Sequence, residues 1–181
     1  MKNEVFEVFE IKLSHGAQLP KRNFPTDSGL DLEMRGYQWI REGSLSSERW
    51  FDDVEMPHDH EDMVYIRPRE RILIKTGVQI AIPPCPEKGY VYEMQVRPRS
   101  GLALKKGLTV LNSPGTIDMT YRGDIGVILY NSSDRTVILK CGDKIAQLVI
   151  NKVYVGEEFK IVEEFSDETD RKDNGFGSSD V

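Results

Sequence analysis

Between Val96 and Asn131 the chain reads VRPRSGLALKKGLTVLNSPGTIDMTYRGDIGVILYN, and several residue types able to do chemistry crowd into that stretch. Arg99, Ser100 and Gly101 place a forked guanidinium, a small hydroxyl and a bare backbone in one turn. A turn of that kind can hold phosphate oxygens through backbone N–H groups and a bidentate cation, without a helix terminus. Taken alone it reads first as an ordinary Arg-rich hairpin connection. Further on, Leu111 to Asp118 reads LNSPGTID, with Pro-Gly between two β-rich runs. A tight hairpin turn is expected there, with Gly115 in an unusual backbone conformation. The backbone of Gly115, Thr116 and Ile117 would offer donors and acceptors to the edge of a flat base, and Asn112 adds an amide. Asp118 leaves the hairpin between Ile117 and Met119. A carboxylate with apolar neighbours is a candidate general base, because partial burial raises its proton affinity; the plainer alternative is a turn-capping acid. Tyr121 then presents a ring face that could wall a sugar and leave no room for an additional hydroxyl.

Other polar residues stand further off. Gln147 sits among Ile145, Ala146, Leu148 and Val149 and needs a partner, as buried amides do. His58 and His60 flank Asp59, but two histidines at that spacing in an acidic loop read as solvated rather than metal-bound. Cys85 and Cys141 lie in separate segments without metal-ligand spacing, and read as reduced thiols.

The elements that must position these groups are mostly strands. Val5 to Leu13 alternates apolar and charged residues, Gly16 and Pro20 break it, and Pro25 to Gly29 forms a turn before Leu30 to Met34. Ile72, Ile74, Thr76, Val78, Ile80 and Ile82 fall on one face, as in a half-buried strand running to the Pro83-Pro84 stop. Tyr90, Tyr92, Met94 and Val96 repeat the pattern and deliver the chain to Arg97 and the phosphate turn. Ile125–Tyr130 and Thr136–Leu139 are two more strands, and Cys141-Gly142-Asp143 turns into Lys144–Val149. Nothing reads as a long amphipathic helix. The expected class is all-β, a jelly-roll or β-clip barrel of short strands.

Two segments differ from the rest. Residues 35–64 include both tryptophans, and Glu42 to Asp62 holds eight acids against one Arg. Trp39, Ile40, Trp50, Phe51, Val54 and Met56 are too apolar for a free linker, so an ordered lobe is expected, with a short helix near Ser46–Asp53. From Glu157 to Asp173 there are eight acids against three bases, and residues 166–181 read as a mobile arm attached to a core of residues 1–165.

The chain has 181 residues, one domain's worth, of which 39% are hydrophobic. No apolar run approaches membrane-spanning length, and Met1 to Lys12 mixes charges into its apolar residues unlike a signal peptide, so a cytoplasmic protein is expected. A net charge of -6 argues against a general nucleic-acid binder. Locally the balance reverses, with five Lys or Arg against two Asp between Val96 and Asp124.

Five short motifs in fixed order resemble those of the trimeric dUTPases, the deoxyuridine triphosphate nucleotidohydrolases. They are DSGLDL (Asp27–Leu32), PRSGLA (Pro98–Ala103), GTIDMTYRGDIG (Gly115–Gly126), GDKIAQL (Gly142–Leu148) and GFGSS (Gly175–Ser179). The resemblance implies hydrolysis of dUTP at the α-phosphorus to dUMP and pyrophosphate. It implies Asp118 as base, Arg99, Ser100, Gln147 and Arg171 on the phosphates, Phe176 over the uracil, and Gly177 with Ser178 around the phosphate tail. It also implies Mg2+ on the triphosphate, reached by Asp31 through water, and a homotrimer whose sites each draw on three chains. Departures are Ser28, where the family more often has Ala; the 69 positions between Asp31 and Ser100, more than is usual; and Lys172, Asp173 and Asn174 in place of glycines before Phe176. Two other readings stay open: a dCTP deaminase-like enzyme, and a regulatory module in which the lobe binds a protein partner. Covering the site or padding the trimer are further roles open to the lobe.

Overall fold

The structure, a computed structural model, describes residues 8–51, 63–84, 89–166 and 169. The alternation of apolar and polar residues makes most of these strands. They run β1 (Glu10–Leu13), β2 (Leu30–Glu33), β3 (Gly36–Arg41), β4 (Ser44–Leu45), β5 (Arg49–Trp50), β6 (Met63–Ile66), β7 (Arg71–Lys75), β8 (Val78–Ala81) and β9 (Tyr90–Arg97). A short helix α1 (Ser100–Lys106) follows, then β10 (Leu108–Val110), β11 (Gly115–Ile117), β12 (Gly126–Asn131), β13 (Val137–Lys140) and β14 (Lys144–Tyr154).

Two sheets position the groups of interest. One has the order β11-β9-β14-β2, the other β10-β12-β7-β3-β4 with β5 also on β3; β1 pairs with β8 and β6 with β13. Their inward faces close over a core in which Leu32, Met34, Ile72, Ile74, Met94, Ile125, Leu129, Leu139 and Ile145 are essentially without solvent contact. The central ladder joins β9 to β14 antiparallel, from Gln147 opposite Arg97 to Tyr154 opposite Tyr90.

The expected single strand Ile72–Ile82 is two. Its alternate residues are all buried, but Gly77, in the left-handed region at φ 70°, turns the chain between sheets. Thus β7 pairs with β12 and β3 while β8 pairs with β1. Thr76 stays on the buried face because its hydroxyl donates to Ile125 O at 2.7 Å.

Three local expectations are corrected. The Arg-Ser-Gly turn opens α1 rather than joining strands. Leu-Ala-Leu-Lys-Lys favours a helix, its lysines fall in the last turn, and Gly107 ends it at φ 66°. The Pro-Gly segment is not a ladder hairpin, since β10 pairs with β12 while β11 pairs with β9. It passes between the two sheets through a cis Ser113-Pro114 bond, and Gly115 lies in a strand without a left-handed φ. Third, no helix forms within Ser46–Phe51: β5 pairs there with β3, Trp50 opposite Gly36. A Cβ at Gly36 would come within 2.4 Å of Arg49 O, so the glycine is what lets this extra strand lie so close. The rest of that expected helix, and His58 and His60, fall outside the described residues.

Candidate functional site

The first, second and fourth motifs meet at one pocket. Because Asp31 pairs with Gln147, and Gln147 with Arg97, across β2, β14 and β9, the chain entering α1 emerges beside Asp31. Arg99 Nε lies 3.1 Å from Asp31 Oδ1 and Lys144 Nζ 2.9 Å from Oδ2. Arg99 Nη1 also donates to Lys144 O at 3.1 Å. Gln147 finds its partner here, Nε2 donating to Pro98 O at 2.9 Å, which fixes the residue leading into Arg99. The cavity, about 570 Å³, is lined by Asp31, Arg99, Ser100, Gly101 and Gln147, together with Asn23, Asp27, Lys105 and Lys106. Ser100 and Gly101 are exposed in the first turn of α1, where backbone N–H groups have no partner within the helix. The Asp31 carboxylate is held between two cations, and although Asp27 shares the cavity, Lys105 and Lys106 keep positive groups in excess there, which suits a polyanion.

The third motif builds a separate cleft of about 410 Å³, lined by Asn112, Thr116, Ile117, Asp118 and Tyr121. Gly115 lies behind it, buried, and pairs with Val96. Asp118 is exposed in the single chain, so the burial expected from its apolar neighbours is not supplied by the protomer: Ile117 and Met119 turn toward the core. Tyr121 is folded back, its hydroxyl donating to Asp124 O at 2.9 Å. Gly123 makes this fold possible, since a Cβ there would lie 2.6 Å from Tyr121 Cζ.

One chain does not unite the two places. Ile117 pairs with Met94 while Asp31 stands level with Arg97, three strands away in the same sheet. Strand rise and spacing therefore put Asp118 on the order of 20 Å from Asp31, further than a triphosphate reaches. Arg171, Phe176, Gly177 and Ser178 lie outside the described residues.

Comparison with known proteins gives the arrangement a family. A family model described as dUTPase matches residues 59–180. The chain belongs to the dUTPase family. A deoxyuridine 5'-triphosphate nucleotidohydrolase of Wolbachia pipientis subsp. Culex pipiens is 41% identical over 181 residues, 99% of this chain and 99% of the relative. One from Heliobacterium modesticaldum is 40% identical over 173 residues, 95% and 96% of the two chains. Among solved structures, the dUTPase of Staphylococcus bacteriophage 80alpha with dUpNHpp superposes with a TM-score of 0.70 at 27% identity, covering 96% of this chain and 99% of that one.

Residues not singled out in the sequence also line or flank the two places. Lys144 belongs to the fourth motif, and its contact with Asp31 follows once β14 is set beside β2. Lys105 and Lys106 reach the pocket because α1 is a helix. Lys75, Gln38 and Leu45 border the Asp118 cleft; Gln38 and Leu45 come from the extra segment, and nothing in their spacing signals that they would return to the third motif.

Proposed function

We infer that this chain hydrolyses dUTP to dUMP and pyrophosphate, removing a DNA-incorporable uracil nucleotide and supplying dUMP in the cytoplasm. The observation that carries the reading is a pocket of Arg99, Asp31 and Gln147 around the opening of α1, with Lys144 paired to Asp31 beside it, in a chain whose third motif builds a second cleft around Asp118 and Tyr121.

Triphosphate hydrolysis needs a water in line with phosphorus, a base for its proton and positive groups for the charge that develops. Asp118 is the base. Arg99, the first-turn backbone of Ser100 and Gly101, and Gln147 hold the phosphates, and Arg171 from the arm of residues 166–181 joins them. Asn112 and the backbone of Gly115 to Ile117 read the uracil edge, because reversing a donor and an acceptor would leave buried groups unpaired. Tyr121 closes the space a ribose hydroxyl would need. Phe176 covers the base while Gly177 and Ser178 wrap the phosphate tail.

Among the described residues no three His, Cys, Asp or Glu side chains converge to clasp a metal, and Asp31 already faces two cations. The pocket therefore fits Mg2+ carried on the triphosphate, with Asp31 reaching its water shell. Bound there, the ion would neutralise charge on the phosphates.

A homotrimer resolves the separation of Asp118 from Asp31: the acid of one chain faces the phosphate pocket of another. The exposed segment after β14 suits such an assembly, since Phe159, Ile161 and Phe165 are 93%, 99% and 88% exposed in the protomer, an uncovered apolar run that a neighbour would bury. The test is a pyrophosphate-release panel over dUTP, UTP, dCTP and dTTP with and without magnesium, run beside light scattering. Release from dUTP alone, dependent on magnesium, is expected; a chain inert toward dUTP would end this reading.

A further inference from the structure

The extra segment reaches back to the third motif through a chain of contacts. Lys75 Nζ lies 3.0 Å from Glu48 Oε1 and 3.4 Å from Asp124 Oδ2, and 5.4 Å from the centroid of Trp50. Glu48 is braced in turn, its Oε2 accepting from Trp50 Nε1 at 3.0 Å, and Trp50 stacks on His15 at 3.9 Å between centroids. The Lys75 side chain is only 12% exposed. Burial works against its charge, yet the bond to Glu48 and the charge of Asp124 outweigh it and hold its pKa above that of an ordinary lysine. Among the described residues Lys75 is the cation paired with the Asp124 carboxylate, and the backbone N–H groups of Thr76 and Gly77 also act on it. The carbonyl of the same Asp124 takes the Tyr121 hydroxyl.

The lobe also touches the cleft directly. Gln38 pairs with Leu73, and Leu73 with Ile128, across β3, β7 and β12. These three side chains therefore form one row on the sheet face that floors the Asp118 cleft. Gln38 is 8% exposed and is fixed by donating to Ser46 O at 2.9 Å. Leu45, opposite Ile40, stands at the rim of the same cleft, 53% exposed.

We propose that the lobe of residues 36–50 is a built part of the nucleoside site: Leu45 and Gln38 are walls of the Asp118 cleft, and Glu48 is a positioning residue that sets the Tyr121 wall through Lys75 and Asp124. The proposal rests on the reading of that cleft as the place of the deoxyuridine. It gives the acidic, Trp-bearing segment a role in choosing the sugar.

The test uses the full chain with Leu45→Ala, Glu48→Gln and Glu48→Asp. Leu45→Ala should raise KM for dUTP about tenfold while kcat holds, as loss of apolar wall around a bound group does. Glu48→Gln should lower the preference for dUTP over UTP about tenfold, the low end of what a pocket wall gives for one extra group, and Glu48→Asp, which keeps the charge, should recover part of it. Calorimetric titration with dUMP reads the same walls without turnover, and Leu45→Ala should weaken that binding. Native KM, native dUTP preference and native dUMP affinity in Leu45→Ala and Glu48→Gln would overturn the proposal. A wild-type chain that binds dUMP through Leu45 but leaves dUTP intact would fault the hydrolase reading and not the lobe.

Discussion

Replacing Gly123 by Ala isolates the position of Tyr121 from its chemistry. Gly123 does not occupy the left-handed backbone region, so alanine meets no conformational penalty there and the perturbation is steric. The new Cβ would lie 2.4 Å from Tyr121 Oη, 2.6 Å from Cζ and 3.1 Å from Cε2. Carbon atoms rest at about 3.5 Å or more, so the ring must retreat by about 1 Å. It does so easily, because Tyr121 is 44% exposed and loses one hydrogen bond to Asp124 O, worth about 1 kcal/mol at most at such a site. Melting should fall by no more than about 4 °C. Function should fall further: a displacement of about 1 Å in a positioning group costs about a hundredfold in rate, or about 2.7 kcal/mol of transition-state stabilisation. Pyrophosphate release on dUTP and UTP, with kcat and KM separated, should show kcat/KM for dUTP down about a hundredfold and the preference over UTP narrowed. A variant with native preference for dUTP over UTP would refute the assignment of Tyr121 as the sugar wall, and a loss of activity that only tracks loss of folded protein would refute the steric reasoning.

Asp118→Asn, isosteric but unable to accept the water's proton, should cut kcat by about a hundredfold to ten-thousandfold, with the far-ultraviolet spectrum and assembly size unchanged. Deleting Arg171 to Val181 should leave a folded chain that melts as the full-length protein does and releases little pyrophosphate from dUTP. Burial pushes the Asp124 carboxyl above its usual range, with Lys75 offsetting only part of the effect. The folded chain thus holds that proton more tightly than the unfolded one, so the stability it contributes is present below the ordinary value of 3.8 and is lost as pH rises through the raised value. The melting temperature of Asp124→Asn relative to the native protein should therefore climb as pH is raised from 3.8 toward neutrality, checked by scanning calorimetry; a flat difference would count against burial of a titrating Asp124.

The strand pattern was the most legible part of the fold, because a period of two with one buried face leaves a clear trace. Ile72 to Ile82 kept every inward residue inward even though Gly77 moves the chain from one sheet to another; the glycine was visible, its turn was not, since nothing local says which sheet the second half will join. Gln147 announced a partner among apolar residues, but that the partner is Pro98 O depends on the β9–β14 register. The seven residues of α1 were too few to show a helical period, although Leu-Ala-Leu-Lys-Lys-Gly carried both propensity and stop. Pro-Gly chemistry favours a turn conformation at Gly115, yet pairing with Val96 overrides that preference. The tryptophans mark the lobe as ordered, while its strands leave no periodic trace because β4 and β5 are two residues each. Of the two, β5 lies where it does because Gly36 admits the Arg49 backbone. The apolar neighbours of Asp118 imply burial, but a single sequence does not show that those neighbours pack inward while the acid stays exposed.

That outward acid makes the proposed trimer testable without solving the assembly. Asp118, just past the edge strand β11, and Arg99, beyond β9, serve different cavities of one chain, so Asp118→Asn and Arg99→Ala chains should each be inactive alone for different reasons. Unfolded together in equal amounts and refolded, they would form mixed rings in which some interfaces join an intact acid to an intact phosphate pocket. With cyclic symmetry and sites shared between chains, about a quarter of the sites regain both groups, and activity should return to about that fraction of the native level. If each chain held its own complete site, every site in every mixture would lack one group and no activity would return. Mixing folded variants without unfolding supplies the control, since stable rings that do not exchange subunits should remain inactive.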